Sequence, residues 1–120
     1  MPQITIDDAI RTDIGPIRGM QEVSADCGTI AAAFLLDGPK PGMYSRVAAK
    51  AGLEEAVLSG VVEGLAKIFI DSVRVKASDT DVKGGLVEHA GFSDDAAASI
   101  GDAFKARREE LSGFIPGAVH

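Results

Sequence analysis

Few residues of this chain have side chains that could carry catalysis or bind a metal. There is one cysteine, Cys27, and there are two histidines, His89 and His120. A cysteine acts as a nucleophile when a base and an activating charge lie close to it. Cys27 instead lies among alanines on the apolar face of a predicted helix, which indicates a small buried core residue. Neither histidine has a second metal ligand at helical spacing in a recognisable motif, so no zinc site is predicted.

Two further motifs begin like binding loops and then depart from the pattern. Asp79-Thr80-Asp81 opens like a calcium loop, but Lys83 stands at the third ligand position and Ala90 at the last, where a glutamate belongs. Gly60-x-x-x-Gly64 is not followed by the Lys-Ser/Thr of a phosphate loop. On a buried helix it predicts close approach by a neighbouring helix. The sequence therefore predicts no catalytic, cofactor-binding or metal-binding residues.

The composition is that of one globular domain. The chain has 120 residues, of which 46% are hydrophobic, and its 18 acidic and 12 basic residues give a net charge of −6. This charge disfavours nucleic acid and anionic membranes as partners, since both attract clusters of Lys and Arg. The longest apolar run, Ile30–Leu36, is far shorter than the ~20 residues that span a bilayer. We therefore expect a soluble, intracellular protein that neither inserts into membranes nor binds nucleic acid.

The spacing of apolar residues predicts an all-α fold: a compact orthogonal bundle of five or six helices around a central apolar helix at about 53–75. In this segment the polar residues are nearly all four apart and form one narrow stripe, which consists of Glu55, Ser59, Glu63, Lys67, Asp71 and Arg74. A helix that is apolar over most of its circumference is surrounded by other helices. Val61, Leu65, Ile68 and Phe69 are predicted core residues.

Capping residues and helix breakers predict where the helices begin and end. The predicted starts are Thr5, Ser24 or Asp26, Tyr44, Leu53, Ser78 and Ser93, and the predicted ends are Gly15, Gly38, Gly52, about Val75, Gly91 and Gly113. Four large apolar residues near these ends have no assigned inward partner, namely Met20, Met43, Phe92 and Phe114. We expect them to cap the bundle or to form a small contact site.

One short pattern indicates DNA binding as an alternative to protein interaction. Ala48, Gly52 and Leu58 have the spacing of a helix-turn-helix. The helix that would read the DNA is the most apolar of the chain, and it begins with Glu54 and Glu55. A third class of function, that of an enzyme or small-molecule carrier, would require a deep pocket with convergent polar groups.

An ordered series of residues resembles the N-terminal helical region of the COMM domain-containing proteins. It comprises Phe34-Leu35, Gly38, Pro41, Tyr44, Ala48-Ala49-Lys50, Val62-Glu63-Gly64-Leu65, Gly91-Phe92-Ser93 and Arg107-Arg108-Glu109-Glu110-Leu111. The resemblance runs from about Ser24 to Pro116. The chain departs from the family by one inserted residue between Leu65 and Gly91. It also lacks the C-terminal COMM domain with its Trp-containing strand, and it has no Trp.

The resemblance implies a single helical N-terminal domain over residues 1–120 with a non-enzymatic scaffold function. Proteins of this family associate with one another through their COMM domains and join coiled-coil scaffold proteins. Their cytoplasmic assembly, associated peripherally with endosomes, sorts and recycles membrane cargo. By this resemblance Arg107, Arg108 and Glu109 are candidate partner contacts. Since the family's assembly surface lies in the missing COMM domain, the isolated chain is expected to be a monomer.

Overall fold

The computed structural model describes Ile4, residues 6–38 and residues 41–114, with the side chains of Pro41 and Phe114 outside the description. Six α-helices follow one another: α1 (Asp8–Ile14), α2 (Gln21–Asp37), α3 (Pro41–Ala51), α4 (Glu55–Arg74), α5 (Asp79–Ala90) and α6 (Asp94–Phe114). A short 3-10 helix, Gly15–Ile17, continues from α1. No strand is present in these ranges, so the predicted all-helical bundle is confirmed. None of the described helices has both the length and the apolar composition needed to cross a bilayer.

Helix α4 is the centre of the bundle, as its narrow polar stripe predicted. It packs against α1, α2, α3 and α6. Its predicted core residues Val61, Leu65, Ile68 and Phe69 are all fully buried. The Phe69 ring lies 5.2 Å from that of Phe104 on α6. The buried surface of α4 therefore joins the two halves of the chain in one core.

Helices α2 and α6 lie side by side and run in the same direction. The Ser93 amide, just before α6, donates a hydrogen bond of 3.0 Å to the Arg18 carbonyl, just before α2. Farther along, Gly28 of α2 faces Ala103 of α6. Helix α5 packs on α6 in the opposite direction, since its first residue, Asp79, lies beside Gly101.

The limits of α5 follow the predicted pattern closely. The Ser78 hydroxyl accepts a hydrogen bond of 3.2 Å from the Asp81 amide, and the Asp81 carboxylate accepts one of 2.9 Å from the Ser78 amide. This reciprocal capping satisfies amides at the helix start that have no partner within the helix. The helix ends at Gly91, whose φ of 71° is left-handed and suits glycine. The predicted start and end of this helix are both confirmed.

The first two predicted helix starts are wrong in position. Asp7 caps α1 by accepting a hydrogen bond of 2.8 Å from the Ile10 amide, and the predicted cap Thr5 lies outside the described residues. Helix α2 begins at Gln21, so Ser24 and Asp26 lie inside it. Ser24 is buried, and its hydroxyl donates to the Ile17 carbonyl at 3.1 Å. The serine therefore holds the 3-10 helix against α2 instead of capping α2.

The four apolar residues without a predicted partner have different outcomes. Phe92 belongs to the core, with only 3% of its surface exposed, because the chain folds inward between α5 and α6. Met20 and Met43 are half-buried and pack against the same core. Phe114 ends α6, but its side chain lies outside the described residues.

Helix α3 also begins earlier than predicted, at Pro41 instead of Tyr44. Proline is favoured at a helix start, where its missing amide hydrogen is not needed.

Candidate interaction surface

Cys27 is a fully buried residue of α2, as its apolar neighbours predicted. Burial raises the pKa of its thiol to about 12, and the negative charge of Asp26 contributes in the same direction. A thiol with this pKa stays protonated at neutral pH, whereas the thiolate is the nucleophile. Cys27 therefore contributes to the core and not to a reactive site.

The other residues considered for metal chemistry do not come together. His89 is exposed near the end of α5, and His120 lies outside the described residues. Asp79 and Asp81 occupy the first turn of α5, where the Asp81 carboxylate takes part in the reciprocal cap. Within residues 6–38 and 41–114, no group of three or more His, Cys, Asp or Glu side chains is arranged to hold a metal ion.

The helix-turn-helix spacing corresponds to a real turn between α3 and α4. The Leu53 amide donates to the Ala48 carbonyl at 2.9 Å, and Gly52 has a φ of 69°. Ala48 and Leu58 are both buried against the core. However, Glu54 and Glu55 are exposed at the start of α4, where a recognition helix would meet DNA. These carboxylates repel phosphates, which disfavours DNA binding through this turn.

A charged network joins α3 to α2. The Lys50 ammonium lies 3.0 Å from the Asp26 carboxylate and 3.5 Å from that of Glu22. The hydrogen bond from Lys50 to Asp26 is the main reason that the pKa of Lys50 is raised. A surface pocket of about 260 Å³ opens beside this network, and we call it the α2–α3 pocket; it is lined by Asp26, Arg46, Val47 and Lys50. Because its charged groups are solvent-exposed to a large degree, the pocket fits binding better than acid–base catalysis.

One side of α2 is partly exposed from this pocket to the end of the helix. Asp26, Thr29, Ala33 and Leu36 follow helical spacing along it, and we call them the α2 outer stripe. No charged residue lies between Asp26 and Asp37. The residues Ala33, Phe34, Leu35 and Leu36 are each half-buried, and we call them the α2 apolar end. Since successive helical residues point about 100° apart, four half-buried neighbours mean that the bundle covers this end incompletely.

The three predicted partner contacts lie on the last turns of α6. Arg107 and Arg108 are half-buried and Glu109 is exposed. The Arg107 Nε lies 2.9 Å from one Glu110 oxygen without an aligned hydrogen bond, and its Nη2 donates to the other oxygen at 3.1 Å. Arg107 follows Ala103 by one turn, so it lies on the side of α6 that faces α2. Arg107 is therefore engaged within its own helix, next to the α2 apolar end.

Sequence reasoning did not single out Arg46, Glu22 or the pairing of Lys50 with Asp26. The two partners are 24 residues apart and meet only through the packing of α3 on α2. One signal was present in the sequence. Helix α3 contains two basic residues and no acidic one, whereas each of the other five described helices has more acidic than basic residues.

Comparison with known proteins finds no match to this chain among family models, curated proteins or solved structures.

Proposed function

We propose that this chain is a non-enzymatic protein-interaction domain, the helical N-terminal domain of a COMM-type subunit in an endosomal cargo-sorting and recycling assembly. Its partners are other COMM domain-containing proteins and coiled-coil scaffold subunits. It acts in the cytoplasm, associated peripherally with endosomes. The ordered series of residues shared with that family supports the family assignment. The α2 apolar end is the observation that supports an interaction function.

The physical argument starts from the uncharged part of α2. Its middle turns place Cys27, Ile30 and Ala31 in the core, whereas Phe34, Leu35 and Leu36 of the α2 apolar end pack against the core and stay partly exposed. Removing apolar surface from water contributes about 25 cal/mol per Å². A partner that covers Phe34, Leu35 and Leu36 therefore gains binding free energy from surface that the isolated bundle leaves in contact with water. Large contiguous apolar patches on a protein surface mark interaction sites, and the α2 apolar end offers apolar side chains next to one another for such a patch.

The same features support a monomer for the isolated chain. Among the described residues, the large apolar residues that are exposed are Val57 and Val75, with 36% and 38% of their surfaces accessible. They lie before and after the long core segment of α4 and therefore do not form one patch. Obligate dimers bury about 2,000 Å² or more of largely apolar surface. The core already takes up Phe92, one of the residues left over for such an interface. We expect sedimentation at micromolar concentration to give a mass near 12.4 kDa.

Affinity purification with a point variant on the proposed surface tests the interaction function. The tagged chain is expressed in its source cells, and co-purified proteins are quantified by mass spectrometry. We expect COMM domain-containing proteins and coiled-coil scaffold proteins to be enriched with the wild-type chain. Leu36→Lys should remove this enrichment, because it puts a charge on the α2 apolar end.

The matched control is Val75→Lys, which adds the same charge at an exposed apolar residue in the turn after α4. It should leave the enrichment unchanged. Circular dichroism verifies that both variants are folded. Enrichment of neither protein class with the wild-type chain would contradict the assignment to a COMM-type assembly. Equal enrichment with Leu36→Lys and Val75→Lys would contradict the α2 apolar end as the binding surface.

A further inference from the structure

We propose that the segment before α1 is a releasable strap, which seats the side chain of Ile4 in an apolar slot on α5 and leaves this slot while the six-helix bundle stays folded. We call the segment that carries Ile4 and Ile6 the strap, and the space beside Gly85 that Ile4 fills the α5 slot. When the strap is released, the α5 slot is open to another segment with the same two isoleucines. This inference is independent of the proposed function and concerns other helices of the bundle.

The α5 slot exists because position 85 has no side chain. A Cβ atom placed on Gly85 would stand 2.5 Å and 2.6 Å from two side-chain carbons of Ile4. Carbon atoms pack best at about 3.5–4.0 Å, so Ile4 occupies the space that this Cβ atom would need. Gly85 is buried, and only 5% of the surface of Ile4 is exposed. The contact therefore joins one branched side chain to a site that glycine leaves open.

The strap is held to the bundle by side chains. Ile4 and Ile6 form no hydrogen bond with the described part of the chain. Ile4 is buried, whereas Ile6 is half-buried against the core. Each residue of an ordered segment gives up backbone freedom, and here the burial of two apolar side chains offsets that loss. Local opening of a folded protein costs anything from almost nothing to the full free energy of unfolding, and few buried contacts place a segment at the low end.

Asp7 separates the strap from the bundle. Its carboxylate accepts a hydrogen bond of 2.8 Å from the Ile10 amide, and its carbonyl accepts one of 2.9 Å from the Arg11 amide. The first turn of α1 is thus capped by Asp7 itself. Farther along α1, Ile14 is fully buried and packs against Gly64 of α4. The strap can therefore leave the α5 slot by backbone rotation before Asp7 while α1 stays in place.

The spacing of the two isoleucines indicates what the open slot would bind. A Cβ atom on Gly85 would also stand 4.0 Å from the terminal carbon of Ile6, so both isoleucines face the same glycine. Residues two positions apart lie on the same side of an extended segment. A ligand from another molecule therefore needs isoleucines at alternate positions. The tethered strap has an effective concentration of the millimolar order beside the slot, so it excludes such a ligand until it is displaced.

Methyl NMR of the full chain with isotope-labelled isoleucine δ1 methyl groups tests the release. A nuclear Overhauser effect between the Ile4 methyl group and the α-hydrogens of Gly85 identifies the closed strap. As urea is added, we expect the Ile4 signal to reach its unfolded position at a lower urea concentration than the signal of Ile68, which is fully buried in α4. If both signals change at the same urea concentration, the strap unfolds with the bundle and the proposal is wrong.

Two adjacent glycines of α5 provide matched variants. Gly85→Ala should move the Ile4 signal to its unfolded position without urea, because the new methyl group fills the α5 slot, while the Ile68 signal stays native. A Cβ atom on Gly84 meets no atom within 4 Å, so Gly84→Ala should leave Ile4 in the slot. The proposal is contradicted if Ile4 stays seated in Gly85→Ala, if both variants release it equally, or if Gly85→Ala unfolds Ile68 together with Ile4.

A peptide with the sequence of residues 1–7 tests whether the open slot binds a segment of another molecule. Ile4→Asp in the full chain should release the strap, since a carboxylate is unfavourable in an apolar slot. The peptide is added at millimolar concentration to match the tethered strap, and we expect it to bind Ile4→Asp about tenfold more tightly than the wild type. Amide shifts at residues 82–89 should report this binding.

The double variant Ile4→Asp/Gly85→Ala is the control, and it should not bind the peptide because its slot is filled. Absence of binding to Ile4→Asp, or equal binding to the double variant, would contradict the α5 slot as the binding site. Sedimentation of the wild type completes the test. A stable dimer that Ile4→Asp dissociates would show that the slot holds the strap of a second copy, which would overturn the intramolecular strap.

Discussion

Gly28 on α2 lies directly against Ala103 on α6. A Cβ atom placed on Gly28 would stand 2.8 Å from the Cβ of Ala103 and 3.5 Å from the Cα of Ile100. Two carbon atoms pack best at about 3.5–4.0 Å, so the first of these distances leaves no room for a side chain at position 28. The parallel contact of α2 and α6 thus depends on the missing side chain at this crossing.

Replacing Gly28 by Ala should lower the free energy of unfolding by about 1–3 kcal/mol, because it overpacks the contact between two helices. Urea denaturation followed by circular dichroism measures the change. Ala103→Gly in the same chain removes the opposing methyl group and makes room for the new one. We expect the double variant to lose less stability than the sum of the two single variants. If the two changes in the free energy of unfolding were strictly additive, residues 28 and 103 would not be in steric contact.

The two glycines of the Gly60-x-x-x-Gly64 motif should respond to alanine in opposite directions. A Cβ on Gly64 would lie 2.7 Å from a methyl carbon of Ile14, which is fully buried on α1, whereas a Cβ on Gly60 meets no atom within 4 Å. Gly64→Ala should therefore destabilise the protein by about 1–3 kcal/mol. Gly60→Ala should stabilise it by about 0.5–1 kcal/mol, since alanine is the better helix former. Thermal unfolding of the two variants compares them, and a loss of stability at both positions would contradict the open surface at Gly60.

The contrast between these glycines shows how far the sequence could predict the packing. The motif predicted a close helix contact, and the apolar pattern of α4 predicted that the helix is central. Only one of the two glycines makes the contact, because α1 crosses α4 at Gly64 and does not reach Gly60. The position of that crossing depends on Ile14 and on the 3-10 helix after it. The residue pattern of α4 alone does not show where α1 crosses it.

Helix ends were predictable where the capping partners are local and not where they are distant. Ser78 and Asp81 cap each other three residues apart, so their pattern is visible in the sequence. Ser24 is also a serine that precedes an apolar run. However, it lies inside α2, and its hydroxyl donates a hydrogen bond to the Ile17 carbonyl, seven residues earlier. The candidate binding surface shows the same limit. Lys50 and Asp26 belong to different helices, and only the packing of α3 on α2 brings them together.

The thiol of Cys27 should be protected from reagents in the folded protein. It is fully buried, and its pKa is raised to about 12. At mildly alkaline pH the native protein should therefore react with a thiol reagent many times more slowly than the same protein in denaturant, where the pKa returns to about 9.0. Absorbance at the reagent's product band measures both rates. Equal rates would show that the apolar face of α2 opens readily to solvent.

The same thiol should make the protein less stable at high pH. Because the folded-state pKa of Cys27 is raised from 9.0 to about 12, the unfolded chain loses this proton first as the pH rises. The contribution of the thiol to stability is complete below pH 9.0, and it is lost as the pH approaches the folded-state value of about 12. This thiol lowers the free energy of unfolding by at most about 1.4 kcal/mol per pH unit over that range.

Urea midpoints of the wild type and of Cys27→Ala at several pH values above neutrality isolate this effect. Near neutral pH the alanine variant is less stable, since it leaves a small cavity, but its stability should decline less steeply in the alkaline range. Tyr44, whose pKa is also raised by burial, titrates in both proteins and cancels in the comparison. Parallel curves for the two proteins would contradict a raised pKa for Cys27.

Lys76 is the non-glycine residue with a positive φ among the described residues, at 58°, in the turn that ends α4. The Ala77 amide donates to the Ser72 carbonyl at 2.8 Å and the Lys76 amide to the Val73 carbonyl at 3.1 Å, which is a helix ending that favours glycine at position 76. Lys76→Gly should therefore stabilise the protein by up to about 1 kcal/mol, since relief of the left-handed strain exceeds the added entropy of the unfolded glycine. Lys76→Ala removes the same charge without relieving the backbone and should not stabilise the protein. Chemical denaturation of both variants tests this, and an equal gain in both would assign the effect to the charge of Lys76 instead of its backbone conformation.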